Sequence, residues 1–578
     1  MANAPLHNEE IAAVFEEMAD LLSIQAENAF RVRAYRRAAQ VLRSLPRELA
    51  QMGGVEAFDA LPGIGADLAA KIEELLRTGQ LAALERLRKQ VPKGVRELLS
   101  VPGLGPVRVR ALFSGLKVRG IEDLRRAIQA DRLRQLRGFG PRLQQRLAQA
   151  VAARQEMAPA RMPYVEATPF AAALKSYLQS LPGVLRVEIA GSYRRGRDTV
   201  GDLDVLVCAE PSSRPITALK QYGELRTLTA SGSTKASGLL RNGLQIDVRV
   251  LPPQSFGAAL HYFTGSREHS IHLRRRAQEL GFKLNEYGLF HGSRRVAGAT
   301  EEELFAALGL TYIPPELRED RGEIEAAQQH RLPQLIELDQ LQGDLHLHTE
   351  ASDGNASIEQ MLAAARALGL HYAAITDHAQ YLGVTHGLDA ARLARQIDAI
   401  DRLNATLQDF TLLKGAEVDI LEDGRLALED AILKRLDVVV IAVHSRFDLS
   451  REQQTTRLLR ALERPAISIL AHPFGRLLGK RPAYELDFER VLSGVQQRGC
   501  FLELNAQPLR LDLDDVHARA ARDRGILLSI ASDAHSCDQL NFLAHGIRQA
   551  RRAWLTAKDV LNARPVQEVR KLLRSTLR

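Results

Sequence analysis

The chain has 578 residues, which is too long for one hydrophobic core, so we expect several domains. Its net charge of +8 is concentrated in the first 160 residues, which suits a polyanionic partner or, equally, a solvated arginine-rich helical surface. No apolar run approaches the roughly 18 residues of a membrane span, the first residues lack a signal pattern, and the scattered cysteines form no disulfide framework. We therefore expect a cytoplasmic protein without membrane contact.

Three segments in the N-terminal quarter repeat one pattern, in which two glycines separated by an apolar residue precede an amphipathic helix. The pairs are Gly63 and Gly65, Gly103 and Gly105, and Gly138 and Gly140. Glycine permits a tight turn and close approach of another backbone, and amides at the following helix start can donate to phosphate. One such turn is commonly just an interhelical connection, but three in a basic region predict DNA binding without sequence readout.

Lys71 lies on the helix that is predicted to follow the first glycine pair. A lysine with a lowered pKa can attack a sugar aldehyde as a Schiff-base nucleophile. The alternative is a solvated lysine paired with Glu74 on the same helix. The residues alone favour this structural alternative.

The middle of the chain changes to a strand pattern and contains a candidate phosphoryl-transfer site. A glycine-serine turn with basic residues runs from Gly191 to Gly196, and Asp202 and Asp204 follow it on one side of a predicted strand. Asp247 on a second strand adds a third carboxylate. Strands disfavour aspartate, and neighbouring aspartates repel each other without cations. The pattern predicts a two-metal site for a metal-bound triphosphate.

After residue 341, strand-like and helix-like stretches alternate, which indicates βα units and a parallel barrel. The active residues of such barrels lie at the carboxyl ends of the strands. Nine side chains with metal-ligand chemistry follow the predicted strands, namely His346, His348, Asp353, His378, Glu417, His444, His472, Asp533 and His535. Imidazole and carboxylate together suit zinc, manganese or iron. One histidine at a strand end is usually structural, but this set predicts a multinuclear metal site.

The motifs of the middle region together closely resemble family X DNA polymerases. They comprise the aspartate triad and residues 191–196, 201–204, 262–266 and 284–287. The glycine pairs and Lys71 fall where that family would place its helix-hairpin-helix motifs and its lyase nucleophile, so the resemblance covers roughly residues 1–315. The remaining residues resemble the PHP (polymerase and histidinol phosphatase) domain. This narrows the resemblance to the bacterial branch that carries the domain at its C-terminus.

The resemblance implies a role for each polymerase residue. Asp202 and Asp204 would bridge two Mg²⁺ or Mn²⁺ ions, and Asp247 would bind the catalytic ion beside the primer 3′-hydroxyl. Ser192 and Arg195 would hold the β- and γ-phosphates of the incoming nucleotide. The implied nucleotide site comprises Gly191, Ser192, Arg195, Gly201, Tyr262, Phe263, Gly265 and Arg274. Within it, the two aromatic residues would line the sugar, and the last arginine would sense the template.

The chain departs from the family pattern at four positions. Ser270 stands where related polymerases often carry an asparagine that touches the nascent pair, and Ile271 replaces a longer polar side chain. Asp67 and Ala83 occupy positions that are lysines in the best-known relatives. Because an acidic side chain is a poor phosphate ligand, these two residues argue against strong 5′-phosphate binding and 5′-deoxyribose-phosphate lyase activity.

In the C-terminal region, the resemblance assigns all nine residues as ligands of a three-metal cluster of Zn²⁺, Mn²⁺ or both. Many relatives in replicative polymerases have lost some ligands and are inactive, so the intact set predicts an active phosphoesterase. The implied activities are 3′→5′ exonuclease and 3′-end processing, with abasic-site endonuclease as a further activity.

The implied fold is multidomain: an all-α helix-hairpin-helix N-terminal region, an α+β nucleotidyltransferase palm with a thumb, and a distorted α/β barrel of PHP type. The expected domains are a helical lyase-type DNA-binding domain (1–90), a helix-hairpin-helix subdomain (91–152), the palm (153–252), the thumb (253–315), a linker (316–340) and the PHP domain (341–578).

The sequence thus predicts a monomeric DNA-directed DNA polymerase that fills short gaps during repair. Its partners would be gapped or primer–template DNA and deoxynucleoside triphosphates. One alternative is a phosphatase fused to an inert DNA-binding module, against which the intact aspartate triad argues. The other is an adaptor that recruits partners to DNA ends without chemistry, which bound metal and primer shortening would exclude.

Overall fold

The computed structural model describes residues 8–577 apart from 45–48, 50–51, 62, 102, 137, 141–142, 145, 149–160 and 381–385. The chain forms two compact units, residues 1–158 and residues 159–578. Within the described ranges, no helix combines the length and the apolar composition that crossing a membrane requires.

The first unit is helical throughout its described residues, because apolar side chains recur at the helical period and pack into one core. At its centre, the rings of Phe15 and Tyr35 meet edge to face with centroids 5.5 Å apart. The α-helices are Asn8–Ile24, Ala29–Ser44, Val55–Asp59, Ala66–Thr78, Ala82–Gln90, Lys93–Glu97, Pro106–Leu116 and Ile121–Gln129, with 3₁₀ helices at Leu98–Ser100 and Arg132–Gln135.

The second unit begins with the palm, whose five-stranded sheet has the order β2-β4-β7-β6-β5. β4 and β7 are parallel, and the other neighbours are antiparallel. The strands are β1 (Met162–Pro163), β2 (Val184–Ile189), β3 (Thr199–Val200), β4 (Asp202–Ala209), β5 (Leu225–Ser231), β6 (Lys235–Leu240) and β7 (Gln245–Leu251). The helices are Tyr164–Gln179, Gly191–Arg194 and Pro215–Leu219.

The thumb follows with three antiparallel strands, β8 (Lys283–Asn285), β9 (Gly288–His291) and β10 (Arg294–Ala297). Its helices are Pro253–Ser255 (3₁₀), Phe256–Thr264, Arg267–Glu279 and Glu301–Ala307. The predicted linker contains Pro315–Leu317 (3₁₀), Glu323–Gln328 and Leu338–Gln340 (3₁₀). This segment is packed rather than a free tether, because Arg318 and Glu323 are fully buried in it.

Seven parallel strands form the C-terminal sheet in chain order and confirm the predicted barrel. They are β11 (Gly343–Leu347), β12 (Tyr372–Ile375), β13 (Thr411–Asp419), β14 (Val438–Ala442), β15 (Ile469–Leu470), β16 (Phe501–Asn505) and β17 (Leu528–Ala531). The α-helices are Ile358–Ala367, Ala390–Asn404, Asp430–Leu433, Arg451–Leu462, Phe488–Arg498, Asp515–Asp523, Leu543–Arg552 and Val566–Thr576, with 3₁₀ helices at Cys537–Phe542, Ala557–Asp559 and Leu561–Ala563.

The first and last strands of this sheet approach each other and nearly close the barrel. His348 N donates to Ala534 O at 2.8 Å, and Asp533 N donates to His346 O at 3.0 Å. One apolar core includes alternate strand residues and the C-terminal helix, and the other packs the strands against the surrounding helices. The carboxyl ends of the strands, where the predicted ligands lie, therefore converge on one face.

Candidate active sites

Three carboxylates meet on two neighbouring strands of the palm sheet. Asp202 begins β4 and Asp204 follows two residues later, so both side chains face the same side. β7 runs parallel beside β4 and places Asp247 directly opposite Asp204. The structure thus brings together the three residues for which the sequence predicts a two-metal site.

The electrostatics of this aspartate triad suit divalent cations. Burial, together with the carboxylates of Asp202 and Asp247, raises the pKa of Asp204 to about 7. Burial and Asp247 also raise the pKa of Asp202. Arg161 and Arg249 oppose these shifts but do not cancel them. Close carboxylates that resist losing their protons fit bound cations, which would take the place of the protons.

Sequence reasoning missed the residues that orient Asp247. Ser237 Oγ donates to Asp247 Oδ1, and Gln245 Nε2 donates to Asp247 Oδ2 at 2.9 Å. Gln245 lies two residues before Asp247 on the same strand face, which the period of a strand could have indicated. Ser237 becomes a neighbour only through the pairing of β6 with β7, for which the sequence carries no local signal.

The glycine-serine turn is built directly onto the aspartate strand. Ala190 N donates to Asp204 O at 2.7 Å, and the short helix Gly191–Arg194 follows. Gly191 has a φ of 61°, and a Cβ at this position would overlap Asp204 Oδ2. Glycine is therefore required here for both its backbone conformation and its lack of a side chain.

Arg195, the predicted phosphate ligand, is held by groups that the sequence did not connect with it. Its Nη1 donates to Thr264 O at 2.5 Å, and its Nε donates to Glu319 Oε1 at 3.1 Å. Gly265 lies against the same guanidinium, since a Cβ there would be 3.0 Å from Arg195 Nη1. Ser192 is half-buried on the short helix of the turn.

The remaining predicted nucleotide residues lie in the palm and on the thumb helices. The rings of Tyr262 and Phe263 meet edge to face with centroids 5.0 Å apart, and the Arg249 guanidinium lies 4.3 Å from the Phe263 centroid. Gly201 directly precedes the paired aspartates. Arg274 lies on a thumb helix and donates its Nε to the carbonyl one turn earlier. Ser270 is buried on that helix, whereas its neighbour Ile271 is exposed.

The nine predicted metal ligands converge at the carboxyl ends of the barrel strands. Their potential ligand atoms form three groups, each with all atoms within 4.8 Å of one another. The groups are His348, Asp353, His378 and His535; His346, His348 and Asp533; and His378, Glu417 and His444. His472 joins them through Nε2, which lies 3.0 Å from Glu417 Oε1. Because the groups share histidines, the arrangement suits several adjacent ions.

Several imidazole nitrogens of this metal-ligand cluster are buried and lack a hydrogen-bond partner within the described structure. They are His346 Nε2, both ring nitrogens of His348, and His472 Nδ1. A buried polar atom without a partner is unfavourable. Imidazole nitrogen is also a good ligand for zinc and manganese, so these orphaned atoms fit bound metal ions.

The charges of the cluster are divided between its histidines. Burial, with the neighbouring His378, lowers the pKa of His348 to about 4. Burial opposes the charging of His444 as well, but Glu417 and Asp419 outweigh it and raise its pKa to about 10. Because imidazole binds metal in its neutral form, metal binding here would release protons.

Sequence reasoning also missed acidic partners of these ligands. His346 Nδ1 lies 2.6 Å from Glu503 Oε1, and Glu503 Oε2 accepts from His472 N at 2.9 Å. His444 Nδ1 lies 3.0 Å from Asp419 Oδ1. Such contacts fix the orientation of a metal-ligating imidazole. Glu503 lies inside the apolar strand β16. An acidic residue in such a strand could have indicated a role in the site.

In the helical unit, Lys71 does not pair as predicted. Its Nζ binds Asp67 Oδ1, one turn earlier on the helix, whereas Glu74 Oε1 accepts from Ala82 N at 2.7 Å. The prediction of a Glu74 pair is therefore wrong, because Glu74 serves the start of the next helix. The lysine side chain is only 14% exposed, so it is not a solvated surface lysine either.

The glycine pairs share one geometry. The first glycine of each pair has a positive φ, of 87° at Gly63, 94° at Gly103 and 89° at Gly138. Gly65 and Gly105 precede their helices with a negative φ, and a Cβ on either of them, or on Gly140, would meet no atom within 4 Å. The fold thus requires glycine only at the first position. The open space at the second position leaves room for another backbone.

Family profiles match most of the chain. They are a helix-hairpin-helix domain at residues 6–81, a SAM-like helix-hairpin-helix tandem at 95–152, the DNA polymerase beta palm at 161–274, the DNA polymerase beta thumb at 259–319, and a PHP domain at 344–507.

Individual relatives match either the whole chain or one part of it. The DNA polymerase/3′-5′ exonuclease PolX of Bacillus subtilis is 36% identical over 573 residues, which is 98% of this chain and 100% of the relative. A probable phosphatase of Caldanaerobacter subterraneus is 30% identical over 232 residues, or 38% of this chain and 86% of the relative. DNA polymerase lambda of Rattus norvegicus is 27% identical over 348 residues, or 54% and 56% of the two chains. With its palm, thumb, hairpins and histidine-rich barrel, this chain belongs to the family X DNA polymerases that carry a C-terminal PHP domain.

Proposed function

We propose that this enzyme fills short gaps in DNA during repair and processes 3′ ends with its C-terminal domain. The observation that carries the polymerase half is the register of β4 and β7, which sets Asp204 opposite Asp247 beside the Gly191 turn. The name of the full-length Bacillus subtilis relative combines polymerase with 3′-5′ exonuclease, which supports joining the two activities.

Nucleotide addition would take place at the aspartate triad. Asp202, Asp204 and Asp247 would hold two Mg²⁺ or Mn²⁺ ions, which when bound stabilise the attacking and leaving oxygens of an in-line displacement. Asp247, oriented by Ser237 and Gln245, would lie beside the primer 3′-hydroxyl. The raised pKa of Asp204 supports this assignment, since its carboxylate is poised to exchange a proton for a cation.

The incoming triphosphate would bind at the turn that follows β2. Ser192 and Arg195 would contact its β- and γ-phosphates, and Gly265 would let the arginine approach closely. Tyr262 and Phe263 would line the sugar, and Arg274 on the thumb would face the template. The cation–π contact of Phe263 with Arg249, two residues after Asp247, supports a shared site.

Phosphoester cleavage would take place at the metal-ligand cluster of the barrel. Zn²⁺, Mn²⁺ or both, when bound there, supply a hydroxide nucleophile at neutral pH and polarise the phosphate. His346 and His444 would be held in ligating orientation by Glu503 and Asp419. We propose 3′→5′ exonuclease and 3′-end cleaning as the main activities, with abasic-site incision as a further one.

The helical unit would hold the DNA. Gly65 and Gly105 precede their helices in open space, Gly140 also has open space around it, and phosphate contacts at such hairpins carry no sequence preference. The substrate would be gapped or primer–template DNA, bound by a monomer in the cytoplasm. The six-domain division predicted from the sequence remains part of this proposal.

Lys71 is the proposed lyase nucleophile, and its Nζ binds the carboxylate of Asp67 on the same helix. Borohydride trapping on an abasic-site substrate tests this role. An adduct that is lost in Lys71→Ala supports the nucleophile, and the absence of a Lys71-dependent adduct makes the lysine structural.

One gel tests the two chemistries together. Wild type, Asp247→Ala and His346→Ala are incubated with a one-nucleotide gap, with and without nucleotides, in magnesium and in manganese. We expect Asp247→Ala to lose extension and keep primer shortening, and His346→Ala to do the reverse. Extension that survives in Asp247→Ala would favour a different catalytic site, and shortening that survives in His346→Ala would remove the barrel assignment.

A further inference from the structure

Arg552, a residue of the C-terminal domain, forms hydrogen bonds to the glycine-serine turn of the palm. Its side chain is 1% exposed and donates to three acceptors, namely Arg195 O at 2.7 Å, Glu319 Oε1 at 3.0 Å and Asp515 Oδ2 at 2.7 Å. A buried guanidinium is stable only when its donors are satisfied in this way. Arg552 therefore ties the main chain of the turn to the C-terminal domain.

The same contacts extend to the Arg195 side chain. Glu319 Oε1 accepts from Arg195 Nε as well as from Arg552 Nη1. Burial opposes the charge of Glu319, but the surrounding arginines outweigh it and lower its pKa to about 2. Arg195 is thus held at its carbonyl directly and at its side chain through a permanent carboxylate.

The network around this carboxylate has a surplus of positive charge. Four arginines share two carboxylates, namely Arg195, Arg197, Arg321 and Arg552 with Glu319 and Asp515. The pair of Arg476 with Asp198 at 3.1 Å adds no net charge. These contacts leave a positively charged environment beside the turn, which suits an anionic ligand of the palm.

A second arginine of the same C-terminal helix supports the turn from another side. The Arg548 guanidinium lies 3.6 Å from the ring centroid of Tyr164, which stacks on Tyr193 of the turn at 4.6 Å and 10°. Gly196, at the end of the turn, has a φ of 66°, and a Cβ there would overlap the Arg548 side chain. The helix Leu543–Arg552 thus contacts the turn at Arg195, at Gly196 and, through Tyr164, at Tyr193.

We propose that Arg552 and Arg548 are positioning residues of the polymerase nucleotide site, which hold Arg195 in place to meet the β- and γ-phosphates of the triphosphate. The inference rests on the proposed role of Arg195 in nucleotide binding. It makes the C-terminal domain a part of the polymerase site in addition to its own chemistry.

Steady-state gap filling by the full-length Arg552→Met variant tests this positioning. We expect KM for the deoxynucleoside triphosphate to rise about tenfold and kcat to stay within about threefold of wild type, because the aspartate triad is untouched. Arg548→Met should raise KM in the same direction. Arg552→Lys, which keeps a positive charge and three donors, should recover part of the loss.

Arg498→Met is the matched control, because Arg498 also donates to main-chain carbonyls, those of Arg464 and Thr576, within the C-terminal domain. Its KM should stay within about twofold of wild type. Primer shortening without nucleotides, measured on the same preparations, reports whether the C-terminal domain is folded. If Arg552→Met loses primer shortening, its C-terminal domain is not folded. The KM values of Arg548→Met and Arg552→Lys then test the proposal in its place.

The inference is overturned if the folded variants keep the wild-type KM, or if Arg498→Met raises KM as much as Arg552→Met. A loss of kcat at constant KM would also overturn it. If wild type itself fails to extend a primer, the proposed polymerase function fails rather than this inference, so the two failures are distinguishable.

Discussion

At the scale of single residues, Asp204 is the carboxylate of the triad whose ionisation is strongly disfavoured. It lies between two other carboxylates and is partly buried, and its pKa rises from 3.8 to about 7 as a result. Without divalent ions, the folded protein keeps a proton on Asp204 that the unfolded chain releases. The free energy of unfolding should therefore fall as the pH rises from about 4 to about 7, and stay low above that range.

Replacing Asp204 by Asn should remove this penalty and stabilise the metal-free palm at pH 8 but not at pH 4. One unit of pKa shift corresponds to about 1.4 kcal/mol, so a gain of at least about 1 kcal/mol is expected at pH 8. Thermal unfolding in chelator at the two pH values measures it, as an increase of roughly 2–4 °C in Tm.

Saturating Mg²⁺ provides the control for Asp204→Asn. Bound cations would relieve the repulsion between the carboxylates in wild type, so the Asn variant should lose its advantage in Tm. An Asn variant that is no more stable than wild type in chelator at pH 8 would contradict the electrostatic account of the triad.

At the scale of elements, the two glycines of each hairpin have different roles. The first allows the positive φ that the fold requires, and the second leaves open space for a partner. Gly103 has a φ of 94°, whereas Gly105, two residues later, has a φ of −90° and open space around it. Both glycines belong to one turn and precede the same helix, Pro106–Leu116.

Gly103→Ala and Gly105→Ala form a matched pair. The first should destabilise the helical unit by about 1 kcal/mol, because alanine is strained at positive φ. The second should change stability by less than about 0.5 kcal/mol, because the loss of a preferred N-cap residue and the lower entropy of the unfolded chain offset each other. It should nevertheless weaken binding to gapped DNA several-fold by filling the space that a phosphate backbone would enter. Thermal unfolding and fluorescence anisotropy measure the two effects, and undiminished DNA binding by Gly105→Ala would rule out this hairpin as a contact.

In the barrel, strand β16 carries no predicted metal ligand but contributes Glu503, the acidic partner of the ligand His346. Glu503→Gln keeps the size of the side chain but removes the charge that faces His346 Nδ1. We expect manganese affinity and primer shortening to fall about 10- to 100-fold, while extension is unchanged. Metal titration monitors the first effect directly, and a variant with wild-type affinity would show that Glu503 does not support the metal site.

At the scale of the whole molecule, two chemistries share one polypeptide and should be separable. A primer with a mismatched 3′ end requires shortening before extension. Asp202→Asn/Asp204→Asn should only shorten it, and His346→Ala should fail to correct it. An equal mixture of the two variants in excess over DNA should restore corrected, full-length product on a gel. A mixture that fails to do so would show that the two sites depend on each other within one chain.

The sequence predicts most of this architecture because the key residues break local rules. Aspartates within β4 and histidines at successive strand ends are unusual enough to be recognised, and the family resemblance supplies their order. The predicted partner of Lys71 was wrong because Asp67 and Glu74 both lie about one helical turn from the lysine. Local sequence does not decide between them. Contacts such as Arg552 with Glu319, which are 233 residues apart, follow from tertiary packing alone.

The packing of the helix Leu543–Arg552 against the turn has a practical consequence for dissecting this enzyme. A truncated polymerase that ends before the barrel would leave Glu319 without Arg552 and would expose the Tyr164 ring that Arg548 covers. Reduced nucleotide addition by such a fragment would report the loss of that support, not a catalytic contribution of the nuclease. Point substitutions at the cluster ligands, which leave the helix in place, are therefore the sounder means of assigning each activity to its site.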